Sequence, residues 1–227
     1  MRFKPTQKLT VSRTLATGEA VFVGVLAQNR QGVFFQYDAD YLKQFGNLSP
    51  FTLQATTALQ IAPKQPHSGL HGLFTDSLPD GWGLLLQDRV FRQKGILPTQ
   101  ITAMDRLAFV GNRGMGALTF SPESEYQAPN VDDIDLASLG LEAQALFDGQ
   151  TEDVLSALVA AGSSGGARPK AQLFFTPDNP QQCRTQAKPG DEAWLVKFTS
   201  QNLALGHEEG LCEASYLHLA QLANLHT

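Results

Sequence analysis

The sequence predicts an α+β fold in which antiparallel sheets are flanked by helices, and two observations support this prediction. Strand-like runs rich in Val and Phe lie close together and are separated by turns that contain glycine, as at residues 20–26 and 33–37. Segments with apolar residues at helical spacing lie between and after these runs, as at residues 102–110 and 136–148. With 42% hydrophobic and 17% charged residues, the 227-residue chain can bury a sizeable core.

The first half of the chain is predicted to be rich in β-structure. Residues 20–26 and 33–37 form a hairpin whose turn ends at Gly32, because glycine tolerates the backbone conformations that tight turns require. The pattern then predicts a short helix at 38–45, a strand at 49–54, a loop at 62–68, a helix that starts at Pro79 and Asp80, a helix at 102–110, a glycine-rich turn at 111–116 and a strand at 117–120.

A linker is predicted at residues 121–135, which carry two prolines and an acidic run. It separates a predicted first domain at residues 1–125 from a second at residues 136–227. The second domain is predicted to begin with helices at 136–148 and 151–160, and strands then flank a glycine-rich loop.

Composition argues against several classes of function. The net charge of −5 disfavours a basic nucleic-acid surface as the main activity. Cys183 and Cys212 lie far apart without metal spacing, and the histidines form no ligand cluster, so free thiols and no metal site are predicted. The N-terminus has no apolar signal region and the chain has no run of eighteen apolar residues, which predicts a cytoplasmic protein without a membrane span.

The sequence Ala-Gly-Ser-Ser-Gly-Gly-Ala-Arg-Pro-Lys at residues 161–170 is the first candidate for chemistry, and a strand-like run follows it at once. Glycines let a backbone approach a phosphate closely, and successive N–H groups can form an anion-binding concavity. The candidate phosphate-binding residues are Gly165, Gly166, Ala167, Arg168, Pro169 and Lys170. The loop is not a Walker A motif, which opens a helix, and a flexible entry into a strand is the alternative interpretation.

Lys197 is the second candidate, because it lies within the strand-like run at residues 194–198. A lysine in such a run either points to water from an edge strand or points into a cleft, where it needs an anionic partner. Glu213, sixteen residues further on at the start of a predicted helix, is a plausible partner. An ion pair between a strand lysine and a helix glutamate is the device by which protein kinases fix the lysine that contacts phosphates.

Phosphoryl transfer also needs a positioned base and a metal-binding aspartate, and no aspartate follows Glu213. We therefore predict no catalytic residue and no metal ligand in this chain. The final helical segment ends with little C-terminal punctuation, so we expect the chain to be the N-terminal piece of something longer.

Several motifs, in this order along the chain, resemble the HipA family of serine/threonine-kinase-like toxins from bacterial toxin–antitoxin modules. They are Gly-Val-Leu-x5-Gly-Val-x-Phe-x-Tyr at 24–37, Phe-x-Asp-x-Leu-Pro-Asp-Gly-Trp-Gly at 74–83 with Asp88 and Arg89, Gly-Asn-Arg-Gly-Met-Gly-Ala-Leu-Thr-Phe at 111–120, the loop at 162–170, Leu-Val-Lys-Phe at 195–198, and Glu213. The resemblance spans essentially the whole chain but only the first half of a typical family member.

The resemblance implies a small β-rich N-terminal subdomain followed by a kinase-like N-lobe, with the family's all-helical C-terminal domain absent. It implies ATP and Mg²⁺ as cofactors of the complete kinase, with the loop at 165–170 over the phosphates, Lys197 as the nucleotide-contacting lysine and Glu213 as its partner. Ser163 matches the family's autophosphorylated loop serine. The family's substrates are aminoacyl-tRNA synthetases, and its usual partner is a helix-turn-helix antitoxin through which DNA is contacted indirectly. The substrate of this chain does not follow from the resemblance.

Three hypotheses about function follow. The first is the N-terminal portion of a HipA-like toxin kinase, inactive by itself. The second is a non-catalytic, antitoxin-like interaction module that binds a separate kinase. The third is a lone nucleotide-binding protein. The retained loop and Lys197 favour the first, because a pure inhibitor needs neither.

Overall fold

The computed structural model describes residues 3–49, 51–154, 156–162, 165–177 and 179–226. Its helices and antiparallel sheets make the protein α+β, as the sequence predicts. The chain divides into two compact units, Met1–Gln127 and Ala128–Thr227. The division falls inside the segment 121–135 that was predicted to be a linker.

The first unit contains a five-stranded antiparallel sheet with the strand order β4-β3-β2-β1-β5. The strands are β1 (Lys8–Thr14), β2 (Ala20–Asn29), β3 (Gly32–Tyr37), β4 (Gln60–Ile61) and β5 (Leu118–Ser121). The predicted hairpin is confirmed as β2 and β3, which pair from Gly24 opposite Tyr37 to Asn29 opposite Gly32. This sheet buries one apolar face, on which Leu9, Val11, Val23, Leu26 and Phe35 lie.

A register shift in the β1–β2 ladder lies next to Gly24. Val11 is opposite Gly24 whereas Ser12 is opposite Phe22, so one residue of β2 is left over, as in a β-bulge. At Gly24 a Cβ atom would lie 2.2 Å from the backbone oxygen of Gln36 and 2.9 Å from Cζ of Phe35. Only glycine therefore lets β3 and the buried Phe35 ring approach this closely.

The helices of the first unit are α1 (Ala39–Phe45), α2 (Gly72–Thr75), α3 (Gly81–Gln93) and α4 (Ala103–Val110). The first and the last of them begin at side-chain caps. The carboxylate of Asp38 accepts the Tyr41 N–H at 2.9 Å at the start of α1. Before α4, Thr102 and Asp105 cap each other reciprocally. Trp82 of α3 is 1% exposed, as expected for a core residue.

The predicted strand at residues 49–54 is wrong, since the described residues of this segment form no strand. Side chains satisfy its backbone in place of a neighbouring strand. The Asn47 amide donates to the Leu53 carbonyl at 2.7 Å and accepts the Ser49 N–H at 3.3 Å. The Gln60 amide accepts the Gln54 N–H and donates to its carbonyl, at 2.8 and 3.0 Å. Local side-chain bonds of this kind compete with ladder pairing.

The second unit contains a four-stranded antiparallel sheet with the order β6-β8-β7-β9. Its strands are β6 (Ile134–Asp135), β7 (Lys170–Thr176), β8 (Asn179–Arg184) and β9 (Glu192–Lys197), and its helices are α5 (Leu136–Phe147), α6 (Ser156–Ala160) and α7 (Glu209–Leu222). Strand β6 lies inside the predicted linker and pairs with β8. Helix α6 is shorter than predicted, because Thr151 Oγ1 accepts the Asp153 N–H at 3.0 Å in a non-helical turn.

Helix α5 contacts α6 and the strands β6 and β8. Its buried residues Leu139, Ala143 and Leu146 recur at helical spacing, and Ala171, Leu173 and Phe175 alternate along β7. Cys183 and Cys212 are both free thiols, as predicted. Among the described residues, no helix is both long enough and apolar enough to cross a membrane.

Candidate functional site

The predicted glycine loop leads directly into the central region of the second sheet. Gly165, Gly166, Ala167 and Arg168 are exposed, whereas Pro169 and Lys170 are buried where β7 begins. Gly166 has a φ of +106°, a conformation that L-residues rarely adopt. Ser163, the predicted autophosphorylation residue, lies outside the described residues.

The side chain of Lys170 stabilises the conformation of this loop through a hydrogen bond to its backbone. Its side chain is nearly buried, and its Nζ donates to the Gly165 carbonyl oxygen at 2.6 Å. A Cβ on Gly166 would lie 2.6 Å from the same Nζ, so a side chain at this position would displace the ammonium. The second glycine of the pair is therefore required by the position of Lys170 as well as by its own φ.

Lys197 lies directly opposite Lys170 in the β7–β9 ladder. Residues opposite each other in an antiparallel pair project from the same face of the sheet, so the two lysines leave one face at one end of the ladder. The ladder is extended by the Phe198 N–H, which donates to the Pro169 carbonyl at 2.9 Å and ties the loop to the end of β9. The structure thus brings together the loop and the strand lysine.

Glu213 of α7 contacts Lys197, with 2.7 Å between Oε2 and Nζ. Both side chains are about half exposed, at 42% and 49%. An exposed pair of this kind stabilises a fold by only about 0.2–1 kcal/mol. The pair is relevant here because it positions the ammonium group of Lys197.

The connection between β9 and α7 is fixed by two side-chain contacts. The buried Ser200 hydroxyl donates to Asp148 Oδ1 at 2.5 Å, at the end of α5. This hydroxyl is the main reason why the pKa of Asp148 is lowered from its ordinary value. Thr199 Oγ1 lies 2.9 Å from Nδ1 of His207, just before α7. These contacts help to determine where α7 presents its glutamates.

Glu209 is a residue of this cluster that the sequence interpretation missed. It forms an ion pair with Arg168 of the loop and is only 8% exposed. A signal was available, because Glu209 precedes Glu213 by four residues and residues at this spacing share one helix face. Which cation it would meet could not be inferred from the spacing.

The cluster has the donors that a polyphosphate requires. Arg168, Lys170 and Lys197 supply three cationic groups beside an exposed glycine backbone, and arginine and lysine are the side chains that bind phosphate oxygens. Within the described part of the chain, no group of three or more His, Cys, Asp or Glu side chains could hold a metal ion. The described residues therefore have the chemistry to bind a polyphosphate.

Other features of the described chain fit a chemical role less well. Clefts of about 460 and 390 Å³ in the first unit, the one beside Arg106 and the other beside Arg13, contain none of the predicted site residues. Burial raises the pKa of the Cys183 thiol to about 11, so this cysteine stays protonated and is a poor nucleophile.

By fold and by site, the chain is an α+β protein that presents clustered cations at one end of an antiparallel sheet. The family model described as the HipA N-terminal domain matches residues 17–121. This portion of the chain is therefore a HipA N-terminal domain, and the family resemblance inferred from the sequence is confirmed for it. Neither a search of curated proteins nor a search of solved structures gave a significant match.

Proposed function

We propose that this chain is the N-terminal portion of a HipA-like serine/threonine kinase, in which the second unit binds the phosphates of ATP. The matched domain lies in the first unit. The proposed phosphate-binding residues lie in the second, at the loop 165–170 and at Lys197, with Glu213 as the partner of Lys197.

The cross-strand pair of Lys170 and Lys197 carries the proposal. Like charges directly opposite each other on one sheet face destabilise a sheet. Lys170 donates to a carbonyl oxygen and Lys197 contacts a carboxylate, and neither of these two contacts requires a second lysine beside it. A ligand with several negative charges would account for the two adjacent lysines, because one polyphosphate can accept hydrogen bonds from both ammonium groups.

Each residue of the cluster has a role that follows from its geometry. Glu213 holds the ammonium of Lys197 in place, so that little side-chain freedom is lost when a phosphate binds. Gly166 lets the backbone of the loop approach the phosphates without a side chain in the way. ATP would supply the γ-phosphoryl group and would arrive with Mg²⁺, to which the proposal assigns no ligand in the described residues.

The proposal extends to partners and to activity. As in the family, the expected partner is a helix-turn-helix antitoxin, with DNA contacted only through it, and the module is a cytoplasmic toxin–antitoxin pair linked to persistence. No aspartate follows Glu213 in the chain, and aspartates are the residues that kinases use as the base and as metal ligands. The chain by itself is expected to give no turnover above background with radiolabelled ATP, and rates of about 1–100 per second, typical of kinases, would contradict this.

Nucleotide titration of matched lysine variants tests the proposal. Lys188 is a suitable control for Lys197, because it lies in the same unit and pairs with Asp132 at 2.9 Å with similar exposure. Lys197→Met and Lys188→Met each remove one exposed ion pair, so each should change the free energy of unfolding by about 0.2–1 kcal/mol. Calorimetric titration with ATP should show weak binding to the wild type and to Lys188→Met, and binding at least tenfold weaker to Lys197→Met.

Equal ATP affinities of the two variants would refute the role of Lys197. The absence of any binding to the wild type at millimolar ATP would refute the proposed phosphate site altogether.

A non-catalytic module that binds a separate kinase is the second candidate, and helix α7 is the observation that favours it. Its residues Leu211, Tyr216 and Leu222 are each more than two-thirds exposed. Exposed apolar surface of this kind marks protein–protein contacts. The same titration separates the two candidates, because such a module needs no ATP and should bind none.

A further inference from the structure

Helix α7 contacts both cationic elements of the cluster from one face. Glu209 and Glu213 are four residues apart, so their side chains lie one helical turn from each other on the same side of the helix. Glu213 contacts Lys197 of β9, and Glu209 contacts Arg168 of the glycine loop. One rigid element therefore holds the strand lysine and the loop at a fixed spacing.

The two ion pairs differ in burial, which assigns them different roles. The side chain of Glu209 is 11% exposed and that of Glu213 is 42% exposed. A carboxylate removed from water destabilises the fold unless it is paired with a cation. A half-exposed carboxylate is solvated whether or not it is paired. Loss of the cationic partner should therefore destabilise the fold more at Glu209, which pairs with Arg168, than at Glu213, which pairs with Lys197.

The loop itself has little regular structure to hold it. Residues 165–168 are exposed and belong to no helix or strand. The Lys170–Gly165 contact closes the loop upon itself, and the Pro169–Phe198 hydrogen bond fixes only its end. The Arg168–Glu209 pair joins the exposed part of the loop to α7.

We propose that the Arg168–Glu209 ion pair is a latch that fixes the glycine loop to helix α7. Arg168 and Glu209 are then positioning residues, and their effect on phosphate binding rests on the proposed function. A latched loop presents its N–H groups already in place, so less ordering is required when an anion binds.

NMR relaxation of the backbone amides tests the latch in the whole chain without any ligand. In Glu209→Gln, the order parameters of residues 165–168 should fall from values near the about 0.85 of rigid backbone to below about 0.6, because the loop is no longer held by α7. Glu208→Gln is the matched control, since it removes the same charge from the neighbouring exposed position. Unchanged order parameters in β7, at residues 170–176, show that each variant is folded.

Rescue distinguishes a specific pair from a general loss of structure. The reversed pair Arg168→Glu with Glu209→Arg should restore high order parameters in the loop, whereas Arg168→Glu alone should not. Order parameters that are unchanged in Glu209→Gln, or a reversed pair that does not restore them, would overturn the latch.

Titration with inorganic tripolyphosphate then measures the consequence for binding. Glu209→Gln should weaken the affinity by about 3- to 30-fold relative to Glu208→Gln, which removes the same charge. Equal affinities of Glu209→Gln and Glu208→Gln despite a more mobile loop in Glu209→Gln would overturn the positioning role. If the wild type binds no tripolyphosphate, the proposed function and the positioning role fail together, and the relaxation experiment still decides whether the latch exists.

Discussion

Replacing Gly24 by alanine should strongly destabilise the first unit, and Gly32→Ala provides a matched control. Both glycines lie in the β2–β3 hairpin and have similar φ values, +159° and +150°. A Cβ at position 24 would lie 2.2 Å from the Gln36 oxygen, whereas a Cβ at position 32 meets nothing closer than 3.8 Å. The backbone contribution is therefore shared, and the difference between the variants measures the steric conflict alone.

The size of that difference can be estimated from the structure. Ordinary Cβ contacts begin at 3.4 Å, so β3 or the Phe35 ring must retreat by about 1 Å in Gly24→Ala. Overpacking of this kind costs about 1–3 kcal/mol, and a weakened backbone hydrogen bond between β2 and β3 adds about 0.5–1.5 kcal/mol. We expect Gly24→Ala to be less stable than Gly32→Ala by about 2–4 kcal/mol, a large fraction of the about 5–15 kcal/mol typical of a native protein.

Tryptophan fluorescence can report on the first unit by itself. The chain has two tryptophans, the buried Trp82 in the first unit and the exposed Trp194 in the second. In a Trp194→Phe background, urea unfolding followed at Trp82 gives the stability of the unit that contains Gly24. Equal midpoints and slopes for the two alanine variants would refute the close-approach argument.

Three further predictions concern groups whose pKa the fold shifts. Burial lowers the pKa of His71 in the folded protein, so unfolding takes up a proton and the free energy of unfolding should fall as the pH drops below about 6.5. His71→Gln should reduce this pH dependence, which urea titrations at several pH values would measure. Arg184 lowers the pKa of Asp191, so Asp191→Asn should destabilise the second unit near neutral pH. The difference in melting temperature between Asp191→Asn and the wild type should shrink as the pH falls through the lowered pKa of Asp191, which melting at a series of decreasing pH values tests. Ser200→Ala should raise the pKa of Asp148 toward its ordinary value, which NMR titration would detect, and an unchanged value would contradict the assigned cause.

The elements that were predicted correctly are those whose signals are local. The hairpin of β2 and β3 follows from two apolar runs and a glycine turn, and α1 and α4 follow from helical spacing. The strand predicted at 49–54 failed because its backbone is satisfied by the side chains of Asn47 and Gln60, which lie outside the segment. Nothing in the sequence of this segment shows whether its backbone will form hydrogen bonds with a neighbouring strand or with side chains.

The candidate site also combines features that local sequence signals predict with a contact that they do not. The glycines of the loop, the strand position of Lys197 and the helical position of Glu213 could all be inferred from residue types and spacing. The contact between Arg168 and Glu209 could not, because it depends on where α7 lies relative to the loop. A charged residue on a helix has several cations within reach in sequence, and only packing selects one.

The amino-acid sequence by itself determined the local chemistry of this protein: the α+β class, the flexible glycine backbone and the residues able to meet an anion. The tertiary structure decided that Lys170 and Lys197, 27 residues apart in the chain, stand opposite each other on one face. Register across a sheet is set by the burial of many side chains at once, and a shift of one residue would place the two lysines on opposite faces. The cluster of cations is for this reason a property of the assembled sheet and of no single segment.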